Sequence, residues 1–373
     1  MVAAPALSPA ATAAWLAELA GAPLPGRRQE DWRFTDPASL QAVAPQLWSG
    51  ADPFADLALP AGVARLEPGE ADRFTSQLLE GSGSAAAWPV QLNQGASPQR
   101  LALRITGAAG ALQLPMPAGT APGLRALQVL LILEDGASLE LLLHPSSSGL
   151  NATSLVMQAQ LGRGARLHLG VLAPGDARAC LLGHLAVSQA PGSDLQLTTA
   201  AGGWAFSRLE PRITQSEGAA RTRLRALQWV DGREMADTHS LVRFGGPDGE
   251  LDQLHKVVAD GAGRSVFNGA VQVPRAAQQT NAAQLSRTLL LSNRARVDTK
   301  PELEIVADDV KCAHGATVSR LQQNELFYLQ SRGIGVEQAS RLLLRGYCEE
   351  VLRELPAAAA ALHPLQLLLR EHQ

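Results

Sequence analysis

The densest run of reactive side chains in the sequence is VADDVKCAHGAT, Val306 to Thr317, which places Asp308, Asp309, Cys312 and His314 close together in the chain. If the backbone is extended there, alternation sets Cys312 and His314 on one face, where a thiolate and an imidazole could share a metal or sulfide. Iron or zinc takes about four donors. No other Cys or His stands at ligand spacing nearby, so the missing donors would have to come from another coil or another chain. The competing reading makes Cys312 a small buried apolar residue and His314 a cap on the helical region starting at Ser319. The residues alone leave both readings open.

Other candidates for chemistry are dispersed. Cys348 sits among Leu344, Tyr347 and Val351 at helical spacing and reads as helix packing, while Cys180, ahead of LLGHLAV, reads as a residue facing into a coil. His168, His184, His239 and His255 are spread through strand-like runs without common spacing and read as satisfied structural histidines. There is no GxxxxGK[ST] loop, no dinucleotide fingerprint in a strand-turn-helix setting and no GxSxG elbow, which argues against ATP, NAD or serine-hydrolase chemistry by this chain.

The elements that must position Cys312 and His314 divide the chain in three. Residues 1–98 mix Ala- and Leu-rich helical stretches with loops punctuated by Pro23, Pro25, Pro37, Pro45 and Pro53. Residues 99–318 carry short apolar alternations such as LALRI and LELLL. Within them Gly136, Gly164, Gly192, Gly218 and Gly249 each precede alternating leucines, spaced by 28, 28, 26 and 31 residues. A glycine-punctuated period in the high twenties predicts coils stacked into a solenoid, with a β-sandwich or barrel as the alternative. Residues 319–373 turn helical, in SRLQQNELFYLQSRG (Ser319 to Gly333) and VEQASRLLLRGYCEEVLREL (Val336 to Leu355). That pair is expected either to cap the solenoid or to dock a partner. Leu326, Phe327, Leu342 and Leu343, with Glu325, Arg341 and Arg345 nearby, would form a mixed apolar and charged docking face.

Composition narrows the function classes. Across 373 residues, 32 Lys and Arg oppose 35 Asp and Glu, so no positive field gathers nucleic acid or an anionic membrane. At 4% aromatic, the chain lacks broad stacking platforms for bases or sugars. The longest apolar run, Leu124 to Leu143, is broken by Arg125, Glu134 and Asp135 and predicts no membrane span. The first twenty residues have no basic region and are interrupted by Glu18, unlike a secretory signal, and three scattered cysteines fit a reducing compartment. A cytoplasmic protein is expected.

The stretch from Ala277 to Ile334 is more specific. It carries in order Gln279-Thr280, LLLS (Leu289 to Ser292), PELEI, ADDVKCAHGAT and LFYLQSRGI, and it closely resembles the SufB/SufD family of iron-sulfur cluster assembly proteins. EDWRFTD, Glu30 to Asp36, is similar to the family's E-x-W-R-[YF]-T element. Gly315 after His314 resembles the SufD branch, where SufB carries a carboxylate. The resemblance implies a mainly β fold, a right-handed parallel β-helix flanked by N-terminal and C-terminal helical regions. It implies a non-enzymatic scaffold that pairs with SufB through the β-helix and docks the ATPase SufC on its C-terminal helices; because a β-helix exposes unpaired strand edges, a homodimer through the strands before Cys312 is the expectation for the chain alone. By the same resemblance Cys312 and His314 fall at or near the SufB interface, beside a transient iron-sulfur cluster shared with SufB and not bound by this chain alone. The alternatives are a carbohydrate-active β-helix enzyme, for which a signal peptide and sugar-stacking aromatics are lacking, or a SufB-like sulfur acceptor.

Overall fold

The computed structural model describes residues 8–369. After helix α1 (Pro9–Ala20) and two short 3-10 turns come strand β1 (Val63–Arg65) and helices α2 (Pro68–Gly81) and α3 (Trp88–Gly95). The strands that follow are β2 (Gln99–Ile105), β3 (Leu112–Pro117), β4 (Gly123–Leu133), β5 (Ser138–Ser146), β6 (Asn151–Leu161), β7 (Arg166–Pro174), β8 (Cys180–Gln189) and β9 (Asp194–Gly202). They continue as β10 (Phe206–Gln215), β11 (Arg221–Val230), β12 (Met235–Phe244), β13 (Glu250–Ala259), β14 (Arg264–Val273), β15 (Asn281–Leu290), β16 (Arg296–Ile305) and β17 (Lys311–Ser319). Helices α4 (Gln323–Ser331), α5 (Val336–Leu352) and α6 (Pro364–Leu369) close the described chain.

From β2 onward the even-numbered strands stack in one sheet and the odd-numbered strands from β3 in a second. All pairs are parallel except β1 on β2, which is antiparallel. This is a two-sheet parallel β-solenoid, the outcome the glycine period predicts. The corners explain the glycines. Gly136, Gly164, Gly192 and Gly218 turn the chain from the first sheet to the second at φ 71, 66, 74 and 84, where a Cβ is unfavourable. In the next coil Asp248 takes the positive φ, and Gly249 is small because a Cβ would fall 2.4 Å from the Phe244 ring.

Alternate residues of both sheets point into the lumen. Leu103, Leu114, Leu131, Leu141, Leu169 and Leu197, all buried, belong to one continuous core that Phe54 also joins, with Leu57 and Leu59 packed against it. Outward faces are covered by the flanks. Leu16, Trp32, Leu40, Trp88 and Leu92 pack on Leu182, Phe206 and Met235 of the first sheet. Val351, Leu352, Leu355 and Leu368 pack on Leu142, Leu172, Leu227, Leu254 and Val258 of the second.

Three expectations need correction. Cys180 is buried in the cluster under the N-terminal helices, on the outer face of its strand, not facing into the coil. The first C-terminal helix starts at Gln323, not near Ser319, because β17 runs through Ser319 to complete its ladder with Leu289. The C-terminal helices lie along the flank of the second sheet and do not cap the last coil. Among the described residues, no helix is long and apolar enough to cross a membrane.

The corner geometry predicts unequal costs for one substitution. Gly136→Ala meets nothing within 4 Å, whereas the Cβ of Gly218→Ala would fall 2.1 Å from the Pro247 carbonyl oxygen. Both carry the left-handed penalty of about 1–2 kcal/mol. Thermal unfolding is expected to show a clearly larger drop in Tm for Gly218→Ala, and equal drops would refute the close approach.

Candidate functional site

Strands β16 and β17 are the last in their sheets and have no further coil beyond them among the described residues. Parallel register fixes what that end displays. Ala282 of β15 faces the lumen core and stands beside Cys312, and Gln284 stands beside His314. Cys312 and His314 therefore share the lumen face of β17, about 6.6 Å apart along the strand. Cys312 is half-buried and packs against the core, whereas His314 is exposed because no further coil covers it. Burial raises the Cys312 thiol pKa above its ordinary value, opposed by a backbone hydrogen bond with Ala282. The free thiol is thus the favoured form until a cation or charged donor approaches.

His314 stands mid-strand, well before α4, and does not cap that helix; Cys312 is not fully buried. Asp309 has a different task. Its backbone N–H donates to Gln278 Oε1 (3.0 Å), its carbonyl accepts from Gln279 N–H (2.7 Å), and its carboxylate accepts from the Gln279 side-chain amide. Gln279, at φ 61, thereby clamps the turn into β17. Asp308 is an exposed neighbour in that turn. The structure brings Cys312 and His314 together and assigns Asp309 to the loop. Among the described residues no group of three or more His, Cys, Asp or Glu could hold a metal ion. Around the site Ile305, Val306 and Val318 are exposed apolar residues, at 40%, 59% and 54%.

The lumen changes character toward this end. Inward positions here include Gln228, Thr238, Ser240, Gln253, His255, Ser265, Gln284, Ser286 and Thr288, all buried, and Gln253 stands in the row that holds Leu141, Leu169, Leu197 and Leu224 in earlier coils. Gln228 Nε2 donates to Thr238 Oγ1 (2.8 Å), and Ser265 Oγ donates to Gln228 Oε1 (2.5 Å). His255 stacks on Phe267 with ring centroids 4.3 Å apart, and neither ring nitrogen has a hydrogen-bond partner. The expectation of a satisfied structural histidine therefore fails at His255. It holds for His168, whose Nε2 lies 2.9 Å from the Glu354 carbonyl, and for His239, whose Nδ1 lies 3.1 Å from Arg208, and only by half for His184, whose Nδ1 lies 2.8 Å from Glu210 while its buried Nε2 has no partner.

Sequence reasoning missed a buried ion cluster on the outer face of the first sheet. Arg208 is 1% exposed, pairs with Glu210 and Asp237, and lies under the Trp32 ring at 4.0 Å. Thr35 Oγ1 donates to Asp237 Oδ2 (2.6 Å), and Glu30 pairs with Lys300 (2.8 Å). EDWRFTD is the segment that closes over these charges. Arg208 and His184 hold the Glu210 carboxyl well below the ordinary carboxylate range, overcoming burial, the largest single influence on it. The readable signal was a row of charges two apart, Arg208, Glu210 and Arg212 in β10 with Asp237 and His239 in β12, all on the face opposite the lumen.

On the C-terminal helices Leu326 is buried, whereas Phe327 is 72% and Leu342 46% exposed. Leu343 is half-buried, and Glu325, Arg341 and Arg345 are exposed. Arg341, Leu342 and Arg345 line one groove of about 800 Å³ with Leu352, Pro364 and Leu365. Leu326 is thus unavailable to an exposed docking face, while Phe327, Arg341, Leu342 and Arg345 remain on the surface.

Residues 119–347 match the family model described as SUF system FeS cluster assembly, SufBD core domain. An iron-sulfur cluster assembly SufBD family protein of Synechocystis is 45% identical over 174 residues, 47% of this chain and 38% of that protein. A chloroplastic protein of Arabidopsis thaliana, ABCI7, is 35% identical over 233 residues, 61% of this chain and 49% of its own. The iron-sulfur cluster assembly protein SufD of Escherichia coli is 38% identical over 143 residues, 38% of this chain and 34% of its own. The matched segments span a third to a half of each of these relatives.

The orphaned His255 makes a pH prediction. Burial lowers its pKa to about 3, against about 6.5 in an unfolded chain, so below pH 6.5 the unfolded state takes up a proton the folded state refuses. Stability from this group is complete above pH 6.5 and falls by about 1.4 kcal/mol per unit as pH drops toward 3. Urea unfolding at pH 7.5, 6.0 and 5.0 is expected to give a flatter profile for His255→Leu than for the parent. Parallel profiles would contradict this.

Proposed function

The chain belongs to the SufBD family of SUF-system iron-sulfur cluster assembly proteins, and from that premise we propose that it is a non-catalytic scaffold subunit whose open last coil forms half of an assembly surface. The observation that carries the reading is a thiol and an imidazole on one face of an end strand that no described residue of the chain covers. One thiol and one imidazole are half of a four-donor set, and a borderline-soft pair suits iron. A partner supplying further thiolate or carboxylate donors completes the set and also covers the unpaired edges of β16 and β17 and the apolar Ile305, Val306 and Val318. That partner is SufB in this reading, and the nascent cluster is cargo shared across the seam, released because a mixed donor set binds it weakly. A chain without SufB pairs with a second copy through the same edge.

Phe327, Leu342, Arg341 and Arg345 form the docking surface for the ATPase SufC, apolar anchors rimmed by charge. The location is the cytoplasm, in keeping with three unpaired cysteines.

The decisive substitution is His314→Ala. Because His314 is exposed, the variant should still fold and co-purify with SufB, while iron and sulfide in the co-expressed complex collapse. Unchanged iron and sulfide would remove His314 from the site. For the second surface, Phe327→Ser and Leu342→Ser are each expected to weaken SufC binding roughly tenfold in calorimetry without changing SufB pairing. These point variants are preferable to truncating the helices, which would bare the apolar face that α5 and α6 cover.

A further inference from the structure

We propose that Gln284 is the positioning residue for His314: its buried side-chain oxygen accepts the imidazole N–H and leaves the other ring nitrogen, with its lone pair, directed at the open end. The inference rests on the reading of His314 as a donor to the cluster.

Four observations lead to it. The ladder of β15 and β17 sets Gln284 and His314 side by side, two residues beyond the pair Ala282 and Cys312, which face the lumen core. Alternation points Gln284 and His314 the same way. Gln284 is 3% exposed, and its amide is anchored from the side opposite β17: Nε2 donates to Gln253 Oε1 at 3.0 Å, and Gln253 Nε2 donates to Ser240 Oγ at 2.9 Å. Gly269 leaves the room this amide occupies, since a Cβ there would lie 2.5 Å from Gln284 Nε2. With the nitrogen committed to β13, Gln284 Oε1 is buried and has no hydrogen-bond partner.

A buried carbonyl oxygen without a donor is costly, about 1–3 kcal/mol, and natural cores rarely retain one. The inward-facing side chain next along the row is an imidazole, which in either neutral tautomer has one N–H to give. That hydrogen bond would select a single tautomer, stiffen a ring on an exposed strand, and make the opposite nitrogen a better donor, as carbonyl partners do for metal-binding histidines. The chain Ser240–Gln253–Gln284–His314 then crosses from the fixed interior to the seam.

The test uses the full chain with nitrogen-15-labelled histidine, His314→Ala identifying the resonance. The parent is expected to show His314 in one dominant tautomer, and Gln284→Met, which keeps the volume but has no acceptor, a mixture. Gln253→Met is the control for a structural role: it breaks the same ladder but keeps Gln284 Oε1, so the tautomer should stay single. Should Gln284→Met fail to fold, Gln284→Glu serves. Its carboxylate is an acceptor at the same reach and is expected to keep one tautomer. In the co-expressed complex, loss of this second contact should reduce iron retention 10–100-fold for Gln284→Met, with Gln253→Met near the parent. An unchanged tautomer in Gln284→Met, a mixture in Gln284→Glu, or an equal effect of Gln253→Met would overturn the positioning role. If His314→Ala leaves iron untouched while Gln284→Met still alters the tautomer, the cluster reading fails and the hydrogen bond stands.

Discussion

Each coil of this molecule satisfies its backbone N–H and C=O groups through the coil before it and the coil after it, so the in-register parallel ladder is the constraint on which everything else depends. A ladder of that kind makes stability a sum over neighbouring coils and leaves two ends whose groups have neighbours on one side only. The ends are treated differently. At the first, β1 reverses direction to pair with β2, and Phe54, Leu57 and Leu59 fill the mouth of the lumen. At the last, the chain leaves β17, forms α4, and returns along the flank. The open edge therefore follows from where the C-terminal helices find their apolar partners.

The lumen reflects the same polarity. Leucines in register pack a dry interior through the early coils, where a polar atom would find no partner. In the last coils, glutamines and hydroxyls pair with one another across strands, which demands that each side chain point in a defined direction. Such a network is worth having only where direction matters, and it stands directly behind the pair Cys312 and His314. Its unpaired members include His255, Thr288 Oγ1 and Gln284 Oε1, places where packing alone does not explain the residue.

Much of this was legible in the sequence because the repeat is written in backbone requirements. Gly136, Gly164, Gly192 and Gly218 mark corners that need a positive φ, and their spacing is the coil length. The shared face of Cys312 and His314 followed from alternation once the segment was taken as a strand. What stayed hidden depends on which outer face is covered. Cys180 looked inward-facing because its strand is apolar on both sides, and only the docked N-terminal helices distinguish the two. The start of α4 was misplaced because the apolar spacing of Ser319 to Leu329 suits a helix, whereas the ladder with β15 holds the first part extended. Leu326 and Phe327 are consecutive and equally apolar, yet one is buried and the other exposed, a choice made by how α4 meets α5.

The flanking regions are held to the solenoid by one device used twice. On the first sheet the Arg208 guanidinium lies under Trp32, with Glu210 and Asp237 beside it. On the second, the Lys256 ammonium lies under the Tyr347 ring at 4.1 Å, donates to the Tyr347 carbonyl at 2.8 Å and pairs with Glu350. Tyr347 Oη in turn donates to the Arg287 carbonyl at 2.6 Å. A cation on a desolvated sheet face is strongly unfavourable unless the covering segment brings an aromatic face and an acceptor to it, so each cation admits few placements of its flank. Apolar contact by itself would let α5 slide along a row of leucines with little change in buried area. Lys256, being one charge at one register position, fixes that position. A flank so fixed keeps to the side of the sheet, and among the described residues nothing covers the face carrying Cys312 and His314.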